Sequence, residues 1–189
     1  TGADSASVIF DAVQSAQAAI AALSAAIGLA GVPIVHFYHC LAQLAVLSRT
    51  PPEQQQQQQH VWDAIDISQN QLKVWSGHCQ ANFQHKWHLV EAERQRCLGH
   101  PWQAVEQYEA AIATAKTYGF VHEQALACEL AANFWLAQEK PFPARAYLGE
   151  AYRLYRHWGA SAKVQHLEQL HPYLRTASYS IDGSSQRLS

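Results

Sequence analysis

Methionine is absent from all 189 residues, and charge is scarce, with Asp, Glu, Lys and Arg making up 15% of the chain. The lack of any methionine, even at position 1, reads as a segment of a longer polypeptide and leaves no basis for reading an N-terminal targeting signal. Between Ala12 and Ser48 there is no Asp, Glu, Lys or Arg at all. There is no basic excess either: 13 Lys and Arg stand against 15 Asp and Glu, a formal charge of −2. Without a basic stripe to neutralise phosphates, nucleic acid is not an expected partner. The phosphate-cradling loops G-x-G-x-x-G and G-x-x-x-x-G-K-[ST] are missing, as are a His-Arg-Asp catalytic loop and a G-x-S-x-G elbow. Paired cysteines are lacking too. Cys40, Cys79, Cys97 and Cys128 are scattered, three of them in helical patterns, which reads as reduced thiols in a cytoplasmic protein.

What is present is a chain with 49% apolar residues, long enough to bury one core without staples. Ala18 to Val35 is almost wholly apolar and has the length to span a bilayer. Its alanines are weakly hydrophobic, however, and Gly28, Gly31 and Pro33 interrupt it. Two buried helices joined by Gly31-Val32-Pro33 are therefore expected, Ser7 to Ile27 and Val32 to Leu47, with a membrane-anchored chain as the lesser alternative. Gln54 to Gln59 reads as the solvated start of a long helix, since glutamine is a good helix former. That helix continues through Trp62, Ile65, Leu72 and Trp75 to a break at Gly77 to Ala81.

From Asn82 onward the chain repeats itself. At a constant offset of 40 residues (144 − 104 = 40), Ala104 meets Ala144, Ala111 meets Ala151, Tyr118 meets Trp158 and Gly119 meets Gly159. Backwards, Val90 falls on Leu130 and Ala92 on Ala132. A fixed period carried by small and aromatic residues at helical spacing marks stacked helix pairs. The expected first pair is Asn82 to Leu98 and Pro101 to Gly119, turning at Gly99-His100-Pro101, where Gly99 takes the left-handed position. The second pair is Val121 to Gln138 and Ala144 to Trp158, turning through Lys140-Pro141. A shorter helix from Ala160 to Leu170 caps the stack, with Val164, Leu167 and Leu170 inward, and stops at His171-Pro172. Residues 1–175 are thus expected to form one domain, with repeats at 82–119 and 121–159 and a cap at 160–172. The Ser-rich 176–189 follows as a flexible tail or linker.

Helices approach closely where small residues face bulky ones. Ala92, Ala104 and Ala111 are the small set of the first pair, against Trp87, Trp102 and Tyr108. Ala132, Ala144 and Ala151 repeat it, against Trp135, Leu148 and Tyr152. Gly99, Ala104, Tyr108 and Ala111 carry the turn and second-helix half of a tetratricopeptide (TPR) repeat. The period exceeds the usual length of about 34 residues, and no proline closes the second helix. The expected fold is all-α: a right-handed stack of antiparallel hairpins, a TPR-like α-solenoid with lengthened helices and a C-terminal capping helix.

A further likeness lies in the run from Asn82 to Glu93, Asn-Phe-Gln-His-Lys-Trp-His-Leu-Val-Glu-Ala-Glu. It is joined by Tyr108-Glu109, Ile112, Gly119-Phe120, Glu123, Glu129-Leu130-Ala131-Ala132, Phe134, Tyr147-Leu148 and Trp158-Gly159-Ala160. Ala162-Lys163-Val164 and Leu167-Glu168 complete it. This pattern resembles the helical region of the large bacterial multi-sensor signalling kinases. Those chains join a serine/threonine kinase-like domain, an AAA-type ATPase module, a TPR-like region, a GAF sensor and a histidine kinase. The resemblance is dense from Asn82 to Pro172 and looser from Val32 to Gly77. It implies a non-catalytic segment that couples sensor to kinase domains of the same polypeptide, or docks a protein partner, and it carries none of that family's catalytic parts.

Candidate groove residues are Lys86, Glu93 and Arg96 on the first helix of the first pair, on a face away from the core stripe. Glu129 and Asn133 hold corresponding places in the second. Charge-assisted hydrogen bonds from such a row would hold an extended partner. The plainer reading is a solvated face with local pairs such as Glu93 and Arg96. No cofactor or metal is expected. The rival is a metal-dependent sensor or enzyme built on the 11 histidines, since His36 and His39, or His85 and His88, could each supply two ligands from one helix face. His122-Glu123 begins like a zinc-protease helix, but Leu126 stands where the second histidine is required.

Overall fold

A computed structural model describes residues 31–51 and 58–175. Among them there is helix and no strand. Among the described residues the main helices are α1 Val32–Leu47, α2 Gln59–His78, α3 Gln80–Cys97, α4 Pro101–Thr117, α5 Val121–Ala137, α6 Pro141–Trp158 and α7 Ser161–Leu170. The expected helix from Ser7 to Ile27, most of the glutamine run and the tail beyond Arg175 lie outside the described residues.

The helix ends follow local chemistry. Pro33 opens α1 in the first turn, where a missing N–H removes no internal bond. Pro101 and Pro141 begin α4 and α6 for the same reason. Four positions, Gly99, Gly119, Glu139 and Gly159, take left-handed backbone at φ of 76°, 76°, 56° and 85°, evenly spaced along the chain. At each, the amide of the residue that follows the left-handed position folds back onto a carbonyl of the helix's last turn. His100 N bonds Gln95 O at 2.9 Å, and Phe120 N bonds Ala115 O at 2.9 Å. Lys140 N bonds Trp135 O at 2.9 Å, and Ala160 N bonds Tyr155 O at 3.0 Å. These closures satisfy orphan carbonyls of the helix end. Gly99 and Glu139 are one repeat apart, so the second hairpin closes with the backbone of the first but without its glycine.

The α2–α3 break is narrower than its sequence suggests. Gly77 stays helical, and Cys79 alone leaves the helix at φ −146° and ψ 87°. α6 starts at Pro141, a turn earlier than the alanine pattern indicates, because two prolines in its first turn are tolerated there.

The helices fall into two compact units, dividing between Thr114 and Ala115. In the first, α1 packs against both α2 and α3, and α2 against α3. Phe37, Leu44, Leu47, Ile65, Leu72 and Val90 are fully buried there, joined by Ala92, Ala104, Tyr108 and Ala111. In the second, α5 packs along α6 and α6 meets α7. α5 is covered on most sides: nine of its residues are buried, from Glu123 to Phe134. Against it lie Ala144, Leu148, Ala151, Tyr152 and Tyr155 of α6, and Leu167 of α7.

The small set is placed as expected. Ala92, Ala104, Ala111, Ala132, Ala144 and Ala151 are all at most 1% exposed. The bulky set divides. Tyr108, Leu148 and Tyr152 are buried, and Trp87 and Trp135 are half-buried. Trp102 is 75% exposed, contrary to its assignment to the inner face, and its repeat partner Phe142 is 89% exposed. Both sit in the first turn of a helix beside the hairpin tip, ahead of the level where helices meet. Leu170 is also exposed rather than inward, since α7 ends there and only Leu167 reaches the core.

Candidate functional site

Three of the five groove candidates prove to be buried. Lys86 and Glu93 are 4% exposed and Glu129 is 8%, while Arg96 is half-buried and Asn133 is exposed. The expected charged face on α3 is therefore an internal polar network. Glu93 accepts hydrogen bonds from the Tyr108 hydroxyl and from Arg96, whose Nη2 lies 2.5 Å away and Nε 3.2 Å away. Burial opposes the Arg96 charge, but the Glu93 carboxylate outweighs it and raises the Arg96 pKa. Burial, reinforced by that same carboxylate, pushes the Tyr108 phenol well above its ordinary value. Lys86 donates to the Asn82 carbonyl at 3.1 Å and contacts His85 Nε2 at 2.9 Å.

The second unit builds the same motif from other positions. Glu129 accepts from the Tyr155 hydroxyl at 2.8 Å and pairs with Lys163 at 2.7 Å, and Lys163 lies over the Tyr155 ring. A buried carboxylate with a phenol and a cation is well satisfied, and removing one hydrogen-bond donor from such a set costs about 1–3 kcal/mol. Both networks bind helix to helix inside a unit. That role is structural, and it explains why charges occupy helix faces that the sequence pattern assigns to solvent.

The histidine pairs also separate. His36 Nδ1 meets Ser68 Oγ at 3.0 Å, while His39 Nε2 meets Gln43 at 3.2 Å. His88 bonds Gln107 at 2.7 Å, and His85 turns to Lys86. Among the described residues no group of three or more His, Cys, Asp or Glu converges as metal ligands would. None of the four cysteines is in a disulfide. Burial pushes the Cys40 thiol up to about 12 and Cys97 to about 11, which leaves both protonated at neutral pH and unreactive. No helix among the described residues is long and apolar enough to cross a membrane.

A different surface offers an open polar trough. It has a volume of about 410 Å³ and lies between α2 and α3, with Gln107 of α4 at its end. Asp66, Gln69, Asn70 and Lys73 line it from successive turns of α2, and Trp87, Glu91 and Arg94 do so from α3. Most of these charges are already paired. Arg94 Nε holds Asp66 at 3.2 Å and its Nη1 lies 3.7 Å from Glu91. Glu91 also accepts from Gln95 at 2.5 Å and from Gln69 at 3.1 Å.

Gln69 is the anomaly. It is 6% exposed, and its Nε2 donates to both the Trp87 carbonyl and Glu91 at 3.1 Å. Both partners are acceptors only, so the amide cannot be turned over, and Oε1 is left buried with no donor. An unsatisfied buried acceptor of this kind costs about 1–3 kcal/mol. Lys73 is exposed and takes part in none of the ion pairs among the described residues. Sequence reasoning missed this trough because its α2 residues read as the polar side of an ordinary amphipathic helix. The only available signal was the polar recurrence Asp66, Gln69, Asn70, Lys73 at one-turn spacing.

A smaller hollow of about 230 Å³ lies at the α6–α7 turn, by Arg156, Ser161 and Glu168. Its carboxylate is occupied, with Tyr152 donating at 2.7 Å and Arg175 at 3.1 Å.

No family model, curated protein or solved structure matches this chain. The likeness to signalling kinases thus rests on the sequence motifs alone.

Proposed function

We propose that this chain is a non-catalytic, TPR-like helical scaffold that docks a protein or peptide partner. On the resemblance of its Asn82 to Pro172 stretch, the partner is a neighbouring sensor, ATPase or histidine kinase domain of the same bacterial signalling polypeptide, in the cytoplasm. The observation that carries this reading is the repeated closure at Gly99, Gly119, Glu139 and Gly159, combined with the buried alanines of both repeats. Hairpins built on one plan stack side by side, and a stack presents a long surface suited to extended partners. The described polar clusters support the same role, since Glu93 and Glu129 are each held by a phenol and a cation and serve to fix helices.

The test is a calorimetric titration of the 189-residue chain with separately produced GAF and histidine kinase domains of a multi-sensor kinase, alongside an assay of the chain alone with ATP. Saturable binding without phosphotransfer by the chain supports the scaffold. Phosphotransfer by the chain itself, or no binding to any domain, overturns it.

A further inference from the structure

We infer that α1 is an acid-responsive helix: below about pH 6, positive charge on His36 and His39 drives it off α2 and α3 and bares buried apolar surface. The device goes beyond the scaffold reading and does not depend on which partner the scaffold takes. Its sequence basis is an absence. Between Ala12 and Ser48 there is no Asp, Glu, Lys or Arg, so α1 has no fixed charge, and its two histidines are the groups there that acid can charge. They lie one turn apart on one helix, so once protonated they repel each other.

His36 is half-buried where three helices meet. Its Nδ1 lies 3.0 Å from Ser68 Oγ of α2, and its ring stands edge-on to Trp75, which in turn meets Phe83 of α3. His39 is buried. Gln43 Nε2 donates to its Nε2 at 3.2 Å, so the ring proton sits on Nδ1, which is buried with no acceptor. A second proton, on Nε2, takes away the acceptor that Gln43 uses and leaves a charged ring without a counter-ion. Burial and the neighbouring His36 both oppose charge on His39, and burial opposes it on His36. The charged groups on the neighbouring helices are committed elsewhere. Asp66 of α2 is held by Arg94 and acts on the Cys40 thiol. On α3, Glu91 serves Gln69, Gln95 and Arg94, Glu93 serves Tyr108 and Arg96, and Lys86 meets His85.

α1 is also held by weaker ties than those between its neighbours. Neutral bonds join it: His36 to Ser68, Cys40 Sγ to the Ile65 carbonyl at 3.8 Å, and Cys97 Sγ of α3 to the Leu44 carbonyl at 3.6 Å, thiols being weak donors. α2 and α3 are joined by charge-assisted bonds, Arg94 to Asp66 at 3.2 Å and Gln69 to Glu91 at 3.1 Å. Carboxylates with ordinary values near 4 keep those bonds at about pH 5. Acid therefore separates α1 first, exposing residues such as Phe37 and Leu44.

The experiment is hydrogen–deuterium exchange of the full 189-residue chain at about pH 7.5 and about pH 5, with times matched for the slower intrinsic exchange in acid. An imidazole that gains its proton only when α1 is released favours release by about 30-fold at pH 5. The expected result is a loss of protection of about tenfold or more in α1, with α3 and α5 changing far less. In the double variant His36→Gln, His39→Gln, α1 protection should be the same at both pH values. Should that variant not fold, the ring-proton NMR signals of the two histidines in the parent chain decide, and they should titrate over the range in which α1 opens. Equal α1 protection at both pH values, equal losses in α1 and α5, or an undiminished loss in the glutamine variant overturns the inference. So does His39 titrating near the ordinary value of about 6.5 while α1 stays protected.

Discussion

Glu139 holds a left-handed backbone, φ 56°, at the place where the preceding hairpin uses Gly99 at φ 76°. An L-residue there is strained by about 1–2 kcal/mol, because its Cβ crowds the following carbonyl. Replacing Glu139 by glycine removes that strain. It also frees the unfolded chain, which offsets about 0.4–1 kcal/mol of the gain. The net expectation for Glu139→Gly is a stabilisation of about 0.5–1 kcal/mol, read as a rise in Tm of about 1–4 °C for a chain of this size. The reciprocal change Gly99→Ala should lower stability by a similar amount. A Cβ built at Gly99 meets nothing within 4 Å, so backbone strain and not a clash sets the sign. Glu139→Ala is the control that separates the exposed carboxylate from the backbone, and it should stay within about 0.5 kcal/mol of the parent. Urea unfolding of all three variants measures this directly. If Glu139→Gly is neutral or harmful while Gly99→Ala is tolerated, the closures are not equivalent and the structural repeat is wrong.

Further outcomes follow from the polar networks and the buried titrating groups. Tyr155→Phe removes a donor from buried Glu129 and should destabilise by about 1–3 kcal/mol, measured by urea unfolding, whereas Tyr118→Phe on the exposed side should not. Burial lowers the pKa of His36 and of His39 from the usual 6.5. The unfolded chain therefore binds more protons below that value, so stability present above pH 6.5 should fall as pH drops through the folded values, and His39→Gln should flatten that fall. Tyr108 acts at the other end: its raised pKa means stability is retained below pH 10 and lost as pH rises beyond it, while ultraviolet titration should show a late phenol component that Tyr108→Phe reduces. At pH 8, a thiol reagent should modify half-exposed Cys79 while leaving Cys40 unmodified until unfolding.

Helix existence and the hairpin turns were legible because they depend on local chemistry. Val32–Leu47 has the expected bounds, and the proline starts and glycine ends at Pro101, Gly119 and Gly159 are backbone constraints that neighbours do not alter. The buried alanines were legible for a related reason, since their recurrence at a fixed period records helix contact. Trp102 was misread because hydrophobicity alone cannot say whether a first-turn residue reaches a neighbouring helix. Lys86, Glu93 and Glu129 were misread because a charge reads as solvent-facing until its partners are known. Glu93 is buried by virtue of Tyr108, fifteen residues on, and Glu129 by virtue of Tyr155 and Lys163. The trough depends on α2 lying beside α3, with one amide committed on its donor side only, and periodicity does not encode that.

The central claim is that each repeat is held by compact alanines between helices, with Trp102 and Phe142 left outside. Urea unfolding of Ala104→Leu and Ala144→Leu, set beside Trp102→Ala and Phe142→Ala, tests it most directly. Overpacking should cost the alanine variants about 1–3 kcal/mol each, and the aromatic truncations should stay within about 0.5 kcal/mol of the parent. Tolerated leucines together with strongly destabilising aromatic truncations would contradict the account.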